Sequence, residues 1–288
     1  MSNWDDIRFF LAVARAGSLS GAAKVLEVNH STVSRRIATL EKNHGVRLFN
    51  RVRDGYEMSD AAYSIYEQAL AVETQNQQIS RALFAQDSRL SGPINLTMPH
   101  DIFEHCLAPH LAQFAQQHPD IKLNLLVTKQ VRNLASLEAD LAIRLTPKPP
   151  EYLVGKKVAQ LQHGIYGATD LPVQDKVGLV VWQGETQLPN WAQQHFPKAH
   201  IALQVDDLTA MFAAVKAGFG IARMPCYLPD SLGDNSVTRF AIELAQSNWG
   251  VWVLNHVDLR KTARVQSLRE FLIAELQQKQ KLFEGVSG

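Results

Sequence analysis

Residues 9–51 read FFLAVARAGSLSGAAKVLEVNHSTVSRRIATLEKNHGVRLFNR, and the order of apolar, small and basic positions in this stretch decides the N-terminal fold. Ile7, Phe10, Leu11 and Ala14 recur at three- and four-residue steps, forming one face of a helix that Gly17 ends. Ser18 or Ser20 caps a second helix through Ala22, Ala23 and Leu26, whose small residues admit a close neighbour. Asn29 marks a tight turn, and a third helix follows with an inward stripe of Val33, Ile37 and Leu40 extending to His44. Ser31, Thr32, Ser34, Arg35 and Arg36 lie off that stripe, on a polar and basic outer face.

Gly45 ends the third helix, and residues 46–51 lead into Arg53-Asp54-Gly55-Tyr56, where Asp-Gly signals a two-residue hairpin turn. The pattern predicts a winged helix-turn-helix filling residues 1–60. Such a third helix presents side chains to base edges in the major groove, while hydroxyls and guanidiniums around it reach phosphates. Arg51 and Arg53 on the wing are placed to meet flanking backbone or minor groove. A net charge of +1 over 288 residues hides this clustering: between Arg35 and Arg53 six basic residues stand against one acid, Glu41. Clustered cations point to nucleic acid, because phosphate neutralisation dominates such affinity.

The quoted stretch, taken along its whole length, resembles the N-terminal domain of the LysR-type transcription regulators. The resemblance implies a helix-turn-helix over about residues 19–38 and contacts with double-stranded DNA from Ser20, His30, Ser31, Thr32, Ser34, Arg35, Arg36, Arg51 and Arg53, with His30, Ser31, Thr32, Ser34 and Arg35 as the reading face. His30 stands where many members carry Gln, which pairs bidentately with adenine in a way His does not match.

Behind the wing, Ala62, Ile65, Ala69, Val72, Asn76, Ile79 and Leu83 alternate by threes and fours, an a/d seam over three heptads. Residues 61–90 are therefore expected to form a linker and dimerisation helix. Helical from Ala61 to Ser88 it would extend about 42 Å at about 1.5 Å per residue. Asn76 on the seam would fix pairing register at some cost in stability.

Ser91-Gly92-Pro93 is a breaker cluster and a natural boundary. Beyond it, strands at Ile94–Thr97, Ile121–Val127 and Asp140–Arg144 alternate with a helix from Ile102 to Gln116. A second series runs through Gln162–Ala168, Val177–Trp182, Ile221–Met224 and Trp249–Leu254. The expected fold is α/β overall, with two lobes in residues 91–288. These segments are similar to the effector-binding domain of the same regulators, which implies a periplasmic-binding-protein-like pair of lobes joined by two crossovers. Lobe I would cover about 93–160 and 259–283, and lobe II about 161–258. Ligands in such folds sit beyond the C-terminal ends of strands. That places a small-molecule effector against Thr97, Met98, Pro99 and His100, against Arg144 and Thr146, and against Val205 and Asp206 at the expected return crossover.

Catalytic readings find little support. Gly218-Phe219-Gly220 follows a helix and precedes a strand, the reverse of a phosphate-binding glycine loop, and reads as a helix end and turn. His100, His105, Cys106 and His110 step around a helix rather than along one face, so no metal site is expected. No Gly-x-Ser-x-Gly elbow, P-loop or carboxylate pair is visible. Cys106 and Cys226 are the only cysteines, and the N-terminal residues lack the basic start and apolar centre of a signal peptide. The chain is therefore expected to be a cytoplasmic, effector-modulated, sequence-specific DNA-binding regulator. It should form a homodimer or homotetramer, with no membrane association, cofactor or enzymatic activity; RNA polymerase is the further partner a promoter position allows. The rival readings are a small-molecule-binding protein whose DNA module is vestigial, separable by whether Ser31, Ser34 and Arg35 are buried or acid-paired, and an architectural DNA-binding protein whose cleft is filled.

Overall fold

The computed structural model describes residues 3–53, 55–84, 89–127, 139–151, 153–172, 176–256, 259 and 262–286. The chain divides into two compact units, Met1–Leu83 and Phe84–Gly288.

In the first unit, α1 (Trp4–Ala16), α2 (Leu19–Leu26) and α3 (His30–His44) precede a hairpin of β1 (Phe49–Val52) and β2 (Gly55–Met58). Asn3 and Asp6 form a capping box at the start of α1, and Ser18 Oγ caps α2 by accepting from the Gly21 N–H at 3.0 Å. The α2–α3 turn is set by Glu27, whose left-handed φ of 54° is unusual for a residue with a Cβ. Phe10, Leu11, Val13, Ala22, Val33, Ile37, Leu40 and Phe49 fill one core, the Phe10 ring lying 5.6 Å from Phe49 and 6.4 Å from Tyr66. The wing is pinned where the Tyr56 N–H donates to Gly17 O at 2.8 Å. A Cβ on Gly55, whose φ is 147°, would collide with that same carbonyl. Asp54, half of the expected turn, lies outside the described residues. His44, expected to extend the inward stripe, is exposed.

The helix α4 runs Asp60–Phe84. Its expected seam splits in two: Ala62 and Ala69 are buried in the core of the winged module, whereas Ile65, Val72 and Ile79 are 42%, 41% and 62% exposed. Ala69 is thus unavailable to a partner helix, because its side chain already packs beside Tyr66 and Leu70 in its own unit. Asn76 is half-buried, and the Leu83 side chain and residues 85–88 lie outside the described set.

The second unit contains a five-stranded sheet in the order β4 (Ile121–Val127), β3 (Gly92–Met98), β5 (Leu141–Thr146), β12 (Gly250–His256), β6 (Leu153–Gln160). The strand β12 is antiparallel to both of its neighbours. The expected assignment of residues 161–258 wholly to the second lobe is corrected here, since Gly250–His256 lies inside the first sheet. On the other side are a three-stranded sheet of β10 (Ala222–Pro225), β7 (His163–Ala168) and β11 (Val237–Arg239), and the parallel pair β8 (Gly178–Trp182) and β9 (His200–Val205), linked to it by a bridge from Leu179 to Ile221. The strands Leu153–Gln160 and His200–Val205 escaped the pattern reading. Val205 and Asp206 accordingly do not lie on a crossover: they close β9 and lead into α8 (Leu208–Lys216), which Asp207 caps by accepting from the Ala210 N–H at 2.9 Å. The two actual crossovers meet at residues 160–162 and 247–249, where the Leu161 N–H donates to Trp249 O at 2.9 Å and Gln160 Nε2 donates to the same oxygen at 2.7 Å.

A helix begins at α5 (His100–Ile102), passes through a π turn over Phe103–Leu107 and continues as α6 (Ala108–Gln117). Between β8 and β9 lies α7 (Asn190–His195), and α9 (Tyr227–Leu232) follows β10; α10 (Ala263–Gln278) and α11 (Gln280–Phe283) close the chain. One apolar core runs from Ile94, Leu96, Met98 and Phe114 through Val253, Leu268 and Leu272 to Met211, Val215 and Tyr227. Gly220 is a close-approach residue: the Ile221 N–H donates to Gly178 O at 2.9 Å, and a Cβ on Gly220 would overlap that carbonyl.

Candidate functional site

Two surfaces gather the candidate functional residues. On the first unit, burying Val33, Ile37 and Leu40 fixes the rotation of α3 and leaves the opposite face outward. His30, Ser31 and Arg35 are exposed, and Thr32 and Ser34 are half-buried at its edge; Ser20 on α2 is exposed as well. Arg35, Arg51 and Arg53 are exposed and have no acid partner among the described residues. Arg36 departs from the expected outward set. Its guanidinium turns back onto α1, 3.4 Å from Asp6 and 3.6 Å from Asp5, and lies 5.7 Å from the centre of the Phe9 ring. Four acids of this unit are engaged away from the outer face of α3. Asp5 and Asp6 hold Arg36, Glu73 holds Arg15, and Glu41 Oε1 accepts the Leu48 and Phe49 N–H groups at 2.7 and 3.2 Å. Glu41, the lone acid in the basic run, is therefore a clasp for the turn into the wing.

The second surface is a cavity of about 450 Å³ in the other unit, lined by Pro99, Asp101, Arg144, Leu145, Thr146, Lys148, Pro150, Leu161, His163, Trp182, Leu208, Pro225, Tyr227 and Trp249. That volume suits a small organic molecule, for which pockets of about 300–1,000 Å³ are usual. Of the expected effector residues, Pro99, Arg144 and Thr146 line it. Thr97 is fully buried behind Arg144, whose Nη2 donates to Thr97 Oγ1 at 2.8 Å. Met98 is fully buried in the core. His100, placed on the cavity wall by the strand-end rule, instead points outward with a 58% exposed side chain 3.4 Å from Glu104. Val205 and Asp206, on the corrected end of β9, are not among the lining residues.

The strand-end rule, applied to every strand, would have reached Trp182 and Pro225, which close β8 and β10. Leu161 and Trp249 come from the two crossovers and His163 opens β7 just after the first of them; they were missed because the chain order does not reveal where those segments meet.

The charges of the cavity are unequal in their surroundings. Arg144 is 5% exposed; besides Thr97 it donates from Nη1 to Ile143 O at 2.8 Å, and its Nε–H has no partner among the described residues. Burial lowers its pKa to about 10. Asp101, also buried, accepts the hydroxyl of Tyr227. Burial, helped by the charge of Arg223, lowers the His163 pKa to about 4, so its imidazole is neutral at pH 7, and its buried Nδ1 is without a partner among the described residues. Lys148 sits at the rim with a 79% exposed side chain, 3.6 Å from Glu151. Among the described residues no group of three or more His, Cys, Asp or Glu could hold a metal ion, and no helix is long and apolar enough to cross a membrane.

Comparison with known proteins follows the same division. Residues 4–63 match a family model described as bacterial regulatory helix-turn-helix protein, lysR family, and residues 87–277 match one described as LysR substrate binding domain. The Mau operon transcriptional activator of Paracoccus denitrificans is 28% identical over 261 residues, covering 90% of this chain and 91% of that protein. The full-length structure of the Vibrio cholerae virulence activator AphB superimposes with a TM-score of 0.59 at 20% identity, covering 95% of this chain and 99% of that one. CbnR complexed with its target DNA gives a TM-score of 0.53 at 19% identity, covering 93% and 99%.

Proposed function

This chain belongs to the LysR family of transcription regulators, whose members bind DNA and respond to small-molecule effectors, and from that premise we propose how its own residues divide the work. His30, Ser31, Thr32, Ser34 and Arg35 read base edges from α3, while Ser20, Arg51 and Arg53 hold the phosphates on either side. Arg36 is reassigned to orienting α3 through Asp5 and Asp6. The observation that carries the reading is that Ser31 and Arg35 are exposed and Arg35 has no acid partner among the described residues, while Asp5, Asp6 and Glu41 are engaged with other groups. A vestigial DNA module would have no reason to keep its cations clear in this way. The open cavity, in turn, argues against a purely architectural protein.

The regulator works as a homodimer or homotetramer in the cytoplasm, without catalytic chemistry. Ile65, Val72 and Ile79 form an exposed apolar stripe at seven-residue spacing on α4, the pattern of a seam that pairs with a second helix. An effector in the cavity lined by Pro99, Arg144 and Thr146 acts by binding two arrangements of the protein with different affinity, and that difference sets the effect on the promoter.

Binding of the purified protein to genomic fragments at two salt concentrations tests the DNA assignment. Wild type should select a few fragments in a salt-sensitive way, and Ser34→Ala and Arg35→Ala should each weaken that selection by about five- to a hundredfold. Absence of fragment preference, with both variants indistinguishable from wild type, would sink the recognition-helix assignment.

A further inference from the structure

We infer that the effector is an apolar monocarboxylate, its carboxylate held by Arg144 and its body lying between Trp182, Trp249 and Leu161. This inference rests on the reading of the cavity as the effector site. A buried guanidinium is ordinarily matched by a carboxylate, because an unpaired charge in the interior is costly. Arg144 is 5% exposed and has no acid partner among the described residues, only Thr97 Oγ1 and the carbonyl of Ile143. Each Nη group uses one of its two N–H bonds in these contacts. What remains is three N–H bonds, one each on Nε, Nη1 and Nη2, and a guanidinium takes both oxygens of a carboxylate with two such donors. The missing counter-charge and the unused donors belong to the same side chain, and that side chain lines the cavity.

The other charges limit the ligand to one negative charge. Lys148 is at the rim beside Glu151, and buried Asp101, engaged by Tyr227, supplies no cation for a second negative charge. His163 is neutral at pH 7 and offers a hydrogen bond but no charge. Beyond these groups the wall is apolar and aromatic, which suits a hydrocarbon or ring body and offers little to a sugar or a nucleotide.

The test uses the full-length protein titrated with benzoate, phenylacetate and hexanoate and, in parallel, with benzamide, phenylacetamide and hexanamide. Binding is followed by the fluorescence of the cleft tryptophans and by the shift in thermal midpoint. The expected result is that at least one acid binds ten or more times more tightly than its amide. Arg144→Met should erase that preference, and Arg144→Lys, which keeps the charge but loses the planar fork, should weaken the acid by about tenfold. Acid and amide binding alike would overturn the proposal while leaving the cavity standing as the effector site. Binding of neither class would overturn both. Retention of the acid preference in Arg144→Met would place the anchor elsewhere and overturn the assignment; should that variant fail to fold, Arg144→Lys and the wild-type acid-to-amide ratio decide the matter.

Discussion

Arg35 on the winged module and Arg144 in the cleft carry the same guanidinium into opposite surroundings. Arg35 stands on an exposed helix face where water solvates the charge, so keeping it costs little and exchanging water for phosphate is easy. Arg144 is stripped of water without receiving an acid among the described residues, so its charge is held at a cost that a bound anion relieves. The first arrangement suits a long polyanion that must be found quickly and released; the second suits one small anion recognised at one point.

The sharpest way to break this contrast is salt. Raising it from about 50 to about 200 mM should loosen specific DNA by a hundredfold or more, as expected when several phosphates are neutralised, and should change the affinity of a carboxylate probe by about twofold or less. Fluorescence anisotropy for DNA and tryptophan fluorescence for the probe give both slopes; equal slopes would mean that Arg144 is solvent-screened.

A smaller effect separates the units by pH. The folded-state pKa of His163, about 4, lies below its ordinary 6.5, so the unfolded chain takes up the proton first. The stability contributed by neutral His163 is complete above pH 6.5, falls between 6.5 and 4, and levels off below that. His163→Gln should flatten this window in the unfolding of the cleft domain by on the order of 2 kcal/mol and leave the winged module's pH profile unchanged. Urea denaturation across the window, with a separate probe on each unit, measures it.

The smallest effect concerns the two arginines directly. With no ligand, Arg144→Met should raise stability by about 1 kcal/mol, because an unpaired buried charge is replaced by an apolar side chain of similar length. Arg35→Met should stay within about 0.5 kcal/mol of wild type. Calorimetric midpoints of the ligand-free variants test this, and a destabilised Arg144→Met would show that the charge is already compensated.

The two regions also differ in how far their sequences could be read. The winged module is built from neighbours in the chain. Gly17 and Gly45 end helices where the sequence says they should, Ser18 caps α2, and Val33, Ile37 and Leu40 turn inward on helical spacing. Arg36 was misplaced because its partners Asp5 and Asp6 are thirty residues away on another helix. The seam on α4 was legible as a repeat, but nothing in a repeat reveals that Ala69 is already used by its own unit.

In the cleft domain the same local rules recovered most strands but missed Leu153–Gln160, where Gly155, Lys156 and Lys157 break the alternation. They could not say that Gly250–His256 joins the first sheet, because sheet membership is decided by long-range pairing. Arg144 was singled out because it ends the expected strand Asp140–Arg144, which in fact runs on to Thr146; Trp249, Leu161 and His163 were not, because they lie on or beside the crossovers.

The position of β12 has a consequence for synthesis on the ribosome. It is the neighbour of both β5 and β6, and among the described residues β6 has no other strand partner in its sheet, so Leu153–Gln160 waits for that pairing until Gly250–His256 has emerged. At about 5–20 residues per second that interval lasts some seconds, during which the nascent first lobe carries two unpaired strand edges. The second lobe is made within that interval, so its own prompt folding decides whether the returning strand arrives in register or the open edges find another chain first.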